Sequence, residues 1–297
     1  MRKVKCILCH NQSFEYIIPR VRDSKNHQII KCLKCGHVQL FPLPTKKEDK
    51  KFYDKNLQVK NIKYRGTIHD LRNKSYEDTI RRVSITKKIT PKNGSVLEVG
   101  SGYGFFLEML QNHGFEIIGI EISKERFMLS KKVTKAKIIS IDLIDQLPNL
   151  KKFNTIVMFH VLEHLSHPLT YLKQLKSLLK PKGMIVIEVP NYDDLQLRLN
   201  NAYKKWYWQR AHIHYFTPKI LRQVLYKSGF KKIRISGVQR YSIENMFNWK
   251  INEMPQLENP VYNSPPEYEW LEKFYKKYLE KRLECDTLVA ISQYTTN

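Results

Sequence analysis

Residues 95 to 123, SVLEVGSGYGFFLEMLQNHGFEIIGIEIS, decide the fold. Val96, Leu97 and Val99 form the apolar run of a buried parallel strand, and Gly100, Gly102 and Gly104 follow at once. Glycines at alternate positions let the backbone turn sharply and lie against a ligand, which a Cβ would prevent. Phe105, Phe106, Met109 and Leu110 then recur at helical spacing, and Gly114 closes that helix. Ile117, Ile118 and Ile120 make a second strand that ends in Glu121. Strand, glycine turn, helix and strand in this order open a parallel α/β sheet.

A glycine turn in this position serves a dinucleotide or some other ligand. The dinucleotide fingerprint G-x-G-x-x-G puts a third Gly or Ala three residues beyond the second glycine, and here Phe105 stands in that place. The pattern is instead E-x-G-x-G-x-G, and its leading carboxylate, Glu98, suits a cationic ligand better than a pyrophosphate. It resembles motif I of the class I S-adenosylmethionine-dependent methyltransferases. The resemblance implies that Gly100, Gly102 and Gly104, with Glu98 ahead of them, pass under the amino-acid part of S-adenosylmethionine. It gives Glu121, with Ile122 beside it, the ribose hydroxyls, and gives Asp142 and Leu143 the adenine amino group and ring. Asp142 reads equally well as an ordinary turn residue.

The alternation continues along the chain. Lys124 to Val133 reads as a helix, Ala136 to Ile141 as a third strand and Phe153 to Phe159 as a fourth. Pro168 to Leu179 is a helix ended by Lys180-Pro181-Lys182-Gly183, and Met184 to Val189 is a fifth strand. Thr217 caps and Pro218 opens a helix to Lys227. Lys231 to Val238 and Thr287 to Gln293 fit the antiparallel edge pair of the resembling family. The expected architecture is α/β, a doubly wound seven-stranded Rossmann-like methyltransferase sheet with a small N-terminal zinc ribbon. Its expected divisions are a ribbon at 1–45, a connector with a cofactor-covering helix (Thr67 to Ile89) at 46–90, and the methyltransferase domain at 91–297. Tyr53, Tyr64 and Tyr76 either line the cofactor entrance or simply pack. Insertions fall at about 191–217 and 242–285, the second expected to be a lid or an oligomer contact and to end in a lone buried thiol, Cys285.

The N-terminal unit rests on Cys6-x-x-Cys9 and Cys32-x-x-Cys35, two knuckles separated by 22 residues. Four thiolates on two such turns match tetrahedral zinc. Iron, a redox dithiol and a pair of disulfides are the alternatives, the last of which requires an oxidising compartment. Four sulfur ligands leave no position for water, so a zinc here would hold the fold without performing chemistry. His10 and His37 stand beside the knuckles as neighbours and not as ligands.

The second informative stretch is His160-Val161-Leu162-Glu163-His164-Leu165, directly after the fourth strand and beside the switch point where open α/β sheets bind ligands. Histidine exchanges a proton near neutrality, and an adjacent carboxylate orients its ring or raises its basicity. Glu163-His164 resembles the E-H pair that follows the fourth strand in many small-molecule methyltransferases, a proposed acid–base element in sugar C-methyltransferases with an amino-terminal zinc module. The structural alternative is that the pair fixes the loop or caps a helix, and His160 is read as packing on the cofactor side. His164 is the first choice for a general base, with Glu163 beside it. His214 is the second choice, and His212 lies two residues before it on an extended segment that sends both rings the same way, with no third metal ligand evident. Neither the D/N-P-P-Y/F sequence of amino-methyltransferases nor a Pro-Cys nucleophile follows the fourth strand. Tyr203, Trp206, Tyr207 and Trp208, interleaved with Lys204, Lys205 and Arg210, form either a stacking surface for a base or sugar or a lid packed on itself.

The formal net charge is +24 in 297 residues, with 52 Lys and Arg against 28 Asp and Glu. That sign fits an anionic partner. The basic residues are mostly lysine, spread along the chain in short runs, whereas arginine is the better bidentate reader of phosphate. A small phosphate-bearing acceptor therefore comes ahead of nucleic acid. No run of 18 apolar residues occurs and the amino terminus reads as no secretory signal, so a cytoplasmic protein without a membrane span and able to self-associate is expected. The expected activity is methyl transfer from S-adenosylmethionine to a small anionic acceptor, such as a nucleotide-linked sugar or related metabolite of surface-polysaccharide or secondary metabolism. The alternatives are an RNA methyltransferase gripping RNA with its ribbon, and a non-catalytic binder built on the cofactor fold.

Overall fold

The computed structural model describes residues 4–45, 47–49, 52, 67–140, 150–256 and 260–295. Strands β1 (Phe14–Ile18), β2 (Gln28–Cys32) and β3 (Val38–Phe41) pair antiparallel in sequence order. Helix α1 (Ile68–Ile89) begins at a capping box in which the Thr67 hydroxyl accepts from Asp70 N and the Asp70 carboxylate accepts from Thr67 N. Two donors that a helix start leaves unpaired are thereby satisfied. There follow β4 (Ser95–Val99), α2 (Phe105–Asn112), β5 (Glu116–Ile120), α3 (Lys124–Val133), β6 (Lys137–Ile139), β7 (Phe153–Phe159), α4 (Pro168–Ser177) and β8 (Leu179–Pro190). The chain finishes with α5 (Gln196–Leu199), α6 (Asn201–Tyr207), β9 (His214–Tyr215), α7 (Pro218–Lys227), β10 (Lys231–Val238), α8 (Ile243–Asn252), α9 (Glu269–Arg282) and β11 (Thr287–Gln293).

The main sheet has seven strands in the order β10-β11-β8-β7-β4-β5-β6. Five run parallel, and β11 is antiparallel to both β8 and β10. After β6 the chain returns across the sheet to β7, so the strand order reverses between β4 and β7. The glycine turn after β4 and the histidine segment after β7 therefore leave adjacent strands at the same end, where a crevice opens. The central strands are buried on both faces, which explains their unbroken apolar runs. One face packs Ile156, Met158 and Ile187 under Leu172, Leu175, Leu221 and Leu225 of α4 and α7. The other packs Val96, Val157 and Val186 under Val83, Phe106 and Leu110 of α1 and α2.

Strand β8 starts at Leu179, ahead of the expected Met184, because Leu179 pairs with Phe153 and the register shifts only between Phe153 and Thr155. The Pro181-Lys182-Gly183 turn signal is absorbed as an irregularity in the strand, with Lys182 at a φ of 62°. Strand β6 is shorter than expected. Asp142, Leu143, Tyr53 and Tyr64 lie outside the described residues.

The sheet that carries the cysteines has four strands, β1-β2-β3-β9, and its fourth comes from the segment before α7. Val38 faces Tyr215, Gln39 faces His214, and Leu40 N donates to Ile213 O at 2.9 Å. Tyr207, Trp208 and Tyr215 are buried with Val21, Ile29, Val38 and Leu40. Tyr207 and Trp208 thus pack, as one of their two sequence readings required, but onto the cysteine-bearing sheet and not only onto their own segment. Trp206 lies under the Arg22 guanidinium, 3.6 Å from its ring centre.

Candidate active site

Gly100, Gly102 and Gly104 all adopt positive φ, 75°, 55° and 84°, a region that strains other residues. Gly100 N and Ser101 N both donate to Ile120 O, at 2.8 and 2.9 Å, which folds the turn over the end of β5. A Cβ on Gly100 would meet the Val161 side chain, whereas no atom lies within 4 Å of the corresponding position on Gly102. The Glu121 carboxylate accepts from Gly102 N and Ser123 N, each at 2.8 Å, and fixes the turn while each oxygen keeps capacity for a ligand hydroxyl. Ile122 beside it is 40% exposed, an apolar side chain left uncovered at the mouth. Glu98 is buried, and its Oε2 has no hydrogen-bond partner among the described residues. Burial, with the Glu121 charge nearby, pushes its carboxyl up to about 8 against the pull of Arg82. An open glycine cradle over an unsatisfied buried carboxyl fits a cationic amino-acid group.

Across the crevice, His160 follows β7 at a φ of 55°. Its Nε2 lies 3.1 Å from Glu188 Oε1 and its Nδ1 lies 3.4 Å from Glu163 Oε1. Burial alone would lower its pKa, but the two carboxylates overrule that and raise it. A single 3-10 turn, Leu162–His164, then presents Glu163 and His164. His164 Nδ1 lies 2.7 Å from Ala211 O. A ring nitrogen that close to a carbonyl carries the proton, so a neutral His164 has its lone pair on Nε2, 3.7 Å from Glu163 Oε1. The His212 ring lies 5.0 Å from that of His164, and Ile213 N donates to Glu163 O at 2.8 Å. Burial would raise the Glu163 pKa, yet His164, His160 and His212 bring it down to about 2. Burial and His164 push His212 down to about 3.

A family model described as a methyltransferase domain matches residues 68–235, more than half of the chain. The chain belongs to this methyltransferase family. A ubiquinone biosynthesis O-methyltransferase of Coxiella burnetii is 22% identical over 180 residues, covering 57% of this chain and 77% of the relative. A tRNA U34 carboxymethyltransferase of Vibrio cholerae is 28% identical over 187 residues, 60% of this chain, which spans about half (54%) of that relative's length. Among solved structures, a SAM-dependent methyltransferase from Archaeoglobus fulgidus superposes with a TM-score of 0.53 at 21% identity, covering 80% of this chain and 99% of the other. The magnesium protoporphyrin IX methyltransferase of Synechocystis, with bound SAH, gives 0.53 at 14% identity over 84% of this chain and 100% of that one. These likenesses show the fold, and the family match makes the chain an S-adenosylmethionine-dependent methyltransferase.

In this methyltransferase, His160, Glu163, His164 and His212 come together beside the glycine cradle, and His214 goes elsewhere. His214 is 1% exposed, its Nε2 is 3.0 Å from Leu165 O, and its ring stands 5.1 Å from that of His37. Burial and His37 hold its pKa well below the usual range. The two histidines do not point the same way, because strand pairing begins only at His214 and the alternation of side chains does not reach back to His212. His212 instead meets the third ligand type that its own neighbourhood in sequence lacked, Glu163 with His164.

Sequence reading missed the layer beneath. Glu188 of β8 is 1% exposed and receives Arg81 Nη1 at 2.7 Å and Arg82 Nη2 at 2.5 Å, besides facing His160. These cations drive its pKa well down despite burial. The available signal was a glutamate inside the buried run MIVIEV, since a charge in such a place requires partners.

At the two knuckles the four thiols gather, with Cys6 Sγ 3.6 Å from Cys35 Sγ and Cys9 Sγ 3.5 Å from Cys32 Sγ. All four cysteines are free. A tetrahedral zinc with bonds of about 2.3 Å puts its sulfurs about 3.8 Å apart, so the four Sγ atoms, all within 4.8 Å of one another, fit that ion. His37 Nδ1 is 3.9 Å from Cys6 Sγ.

Proposed function

We propose that this methyltransferase acts on a small anionic acceptor, of the kind a nucleotide-linked sugar represents, at a hydroxyl or at a carbon beside a ketone. The observation that carries the reading is the Glu163–His164 pair, set beside the glycine cradle with the His164 Nε2 lone pair free of the Ala211 contact. When bound, S-adenosylmethionine supplies a methyl group on a sulfonium, whose C–S bond breaks with its electrons to sulfur as the acceptor lone pair forms the new bond. Glycines 100, 102 and 104, Glu98 and Glu121 would hold that cofactor, with Ile122 and His160 against it. His164 Nε2 takes the acceptor proton, and buried Glu163 stabilises the imidazolium that results. The net charge of +24 supports an anionic acceptor, and the relative named for O-methylation supports a hydroxyl one. We assign the four thiols to a structural zinc, consistent with a reducing, cytoplasmic setting.

A second reading, methylation of RNA, is favoured by the relative named for tRNA U34 and by the same charge. The test is an extract of small metabolites and total RNA offered with labelled S-adenosylmethionine. Label should enter the small-molecule fraction, and His164→Ala should lower that turnover about a hundredfold or more with cofactor affinity unchanged. Label confined to RNA would replace the first reading by the second. Undiminished turnover in His164→Ala and His212→Ala alike would mean that the acceptor needs no protein base.

A further inference from the structure

We propose that Glu163, His164 and His212 form a second metal site, open on one side, which takes a divalent first-row transition cation and offers it to an oxygen of the acceptor. One donor atom from each of the three residues lies within 4.8 Å of the others, and His164 Nε2 stands 3.7 Å from Glu163 Oε1. A tetrahedral cation with bonds of about 2.0–2.1 Å needs donors about 3.4 Å apart, so small side-chain rotations complete the site. Two hydrogen bonds hold the segments that supply the ligands. Ile213 N to Glu163 O spans 2.8 Å, and His164 Nδ1–H to Ala211 O spans 2.7 Å. The second has the form that supports metal-bound histidine, a carbonyl on one ring nitrogen that turns the other toward the ion.

The independent observation is the state of Glu163. Its residue is 1% exposed, and neither carboxylate oxygen has a well-formed hydrogen bond among the described residues. An anion so placed is costly unless a cation meets it, and His160, 3.4 Å from Oε1, is itself engaged with Glu188. Two imidazoles and one carboxylate suit zinc, iron, manganese or cobalt, and three protein ligands leave coordination positions open, unlike the four sulfurs of the knuckles. Val161, two residues before Glu163, packs over Gly100, so the cluster lies beside the cofactor cradle. A hydroxyl ligated there would lose its proton to solvent at a lower pH than it does in water. The inference rests on the methyl-transfer reading and changes the agent of activation, since the His164 lone pair then serves the cation.

The experiment is a cobalt(II) titration of the full chain after metal removal, followed by visible absorption. The ribbon should give intense thiolate charge-transfer bands, and a second cobalt should add only weak ligand-field bands. His212→Ala and Glu163→Gln should each weaken the second binding by more than about a hundredfold, beyond the effect of losing a supporting residue. Both should keep the thiolate bands, and Cys32→Ser should remove them. Calorimetry with S-adenosylmethionine on the same proteins reports folding and separates the two ideas. A titration that ends at the thiolate bands while the cofactor binds, or a second cobalt that survives both substitutions, overturns the metal site alone. Failure of the wild type to bind the cofactor overturns the methyl-transfer reading instead.

Discussion

Glu98 holds its proton near neutrality in the free protein, because burial and Glu121 together outweigh Arg82 and push its pKa up to about 8. The sign of the consequence is fixed by linkage. Between its ordinary 4.5 and about 8 the folded free protein binds more protons than the unfolded chain, so this group makes folding less favourable as pH rises through that window. A cationic ligand above the carboxyl stabilises its charged form and expels the proton. Affinity for S-adenosylmethionine should therefore rise with pH up to about 8, by at most about tenfold per unit, and then level off. Glu98→Gln should flatten the profile. A wild-type affinity independent of pH, or an equal slope in the variant, would rule out this part for Glu98. Its place in E-x-G-x-G-x-G marked Glu98 as a candidate in the sequence, which did not reveal its charge state. That state depends on Arg82 and Glu121, which the fold brings to it from α1 and the end of β5.

Strand β9 is only two residues long, yet it ties the cysteine-bearing sheet to the loop that carries His212. A zinc bound by the four thiols would contribute to the stability of the sheet it closes, since the unfolded chain offers no formed site. Removing the metal, or replacing Cys32 by Ser, should loosen β3 and with it residues 212–216, each ~1.4 kcal/mol of lost local stability speeding amide exchange about tenfold. The glycine turn belongs to the other sheet, so cofactor affinity should stay within about twofold while the acceptor KM rises. Unchanged exchange at 212–216 in metal-free protein would show that β9 stands without the ribbon. The sequence made the strands β4, β5 and β7 legible through their buried apolar runs, α1 through its spaced apolar residues, and α7 through Thr217 at its cap. It did not reveal the β3–β9 pairing, because two residues carry no periodicity and the partners lie far apart in the chain. The same ignorance of long-range pairing hid the meeting of His212 with Glu163, and the separation of His214 from both.

Across the whole molecule the charge is distributed so that the buried cations are already engaged. Arg81 and Arg82 hold Glu188, Arg240 holds Asp78 at 2.6 Å, and Arg210 holds Asp49 at 2.8 Å. The arginines best suited to phosphate forks are thus partly spent inside, and much of the positive field comes from dispersed lysines. Such a field attracts small anions and RNA alike, but the two differ in how they answer to salt. A polyanion bound through six or more phosphates releases condensed counterions and loses about a thousandfold or more in affinity between about 50 and 200 mM salt. A small acceptor has no condensed atmosphere to release, and screening over a Debye length of about 8–10 Å should move its KM by less than about tenfold across that range. Among the described residues no helix is long and apolar enough to cross a membrane. The small-acceptor reading predicts the shallow response in both KM and product yield. A steep fall in turnover that parallels loss of RNA binding would transfer the basic surface, and the crevice beside it, to the RNA reading.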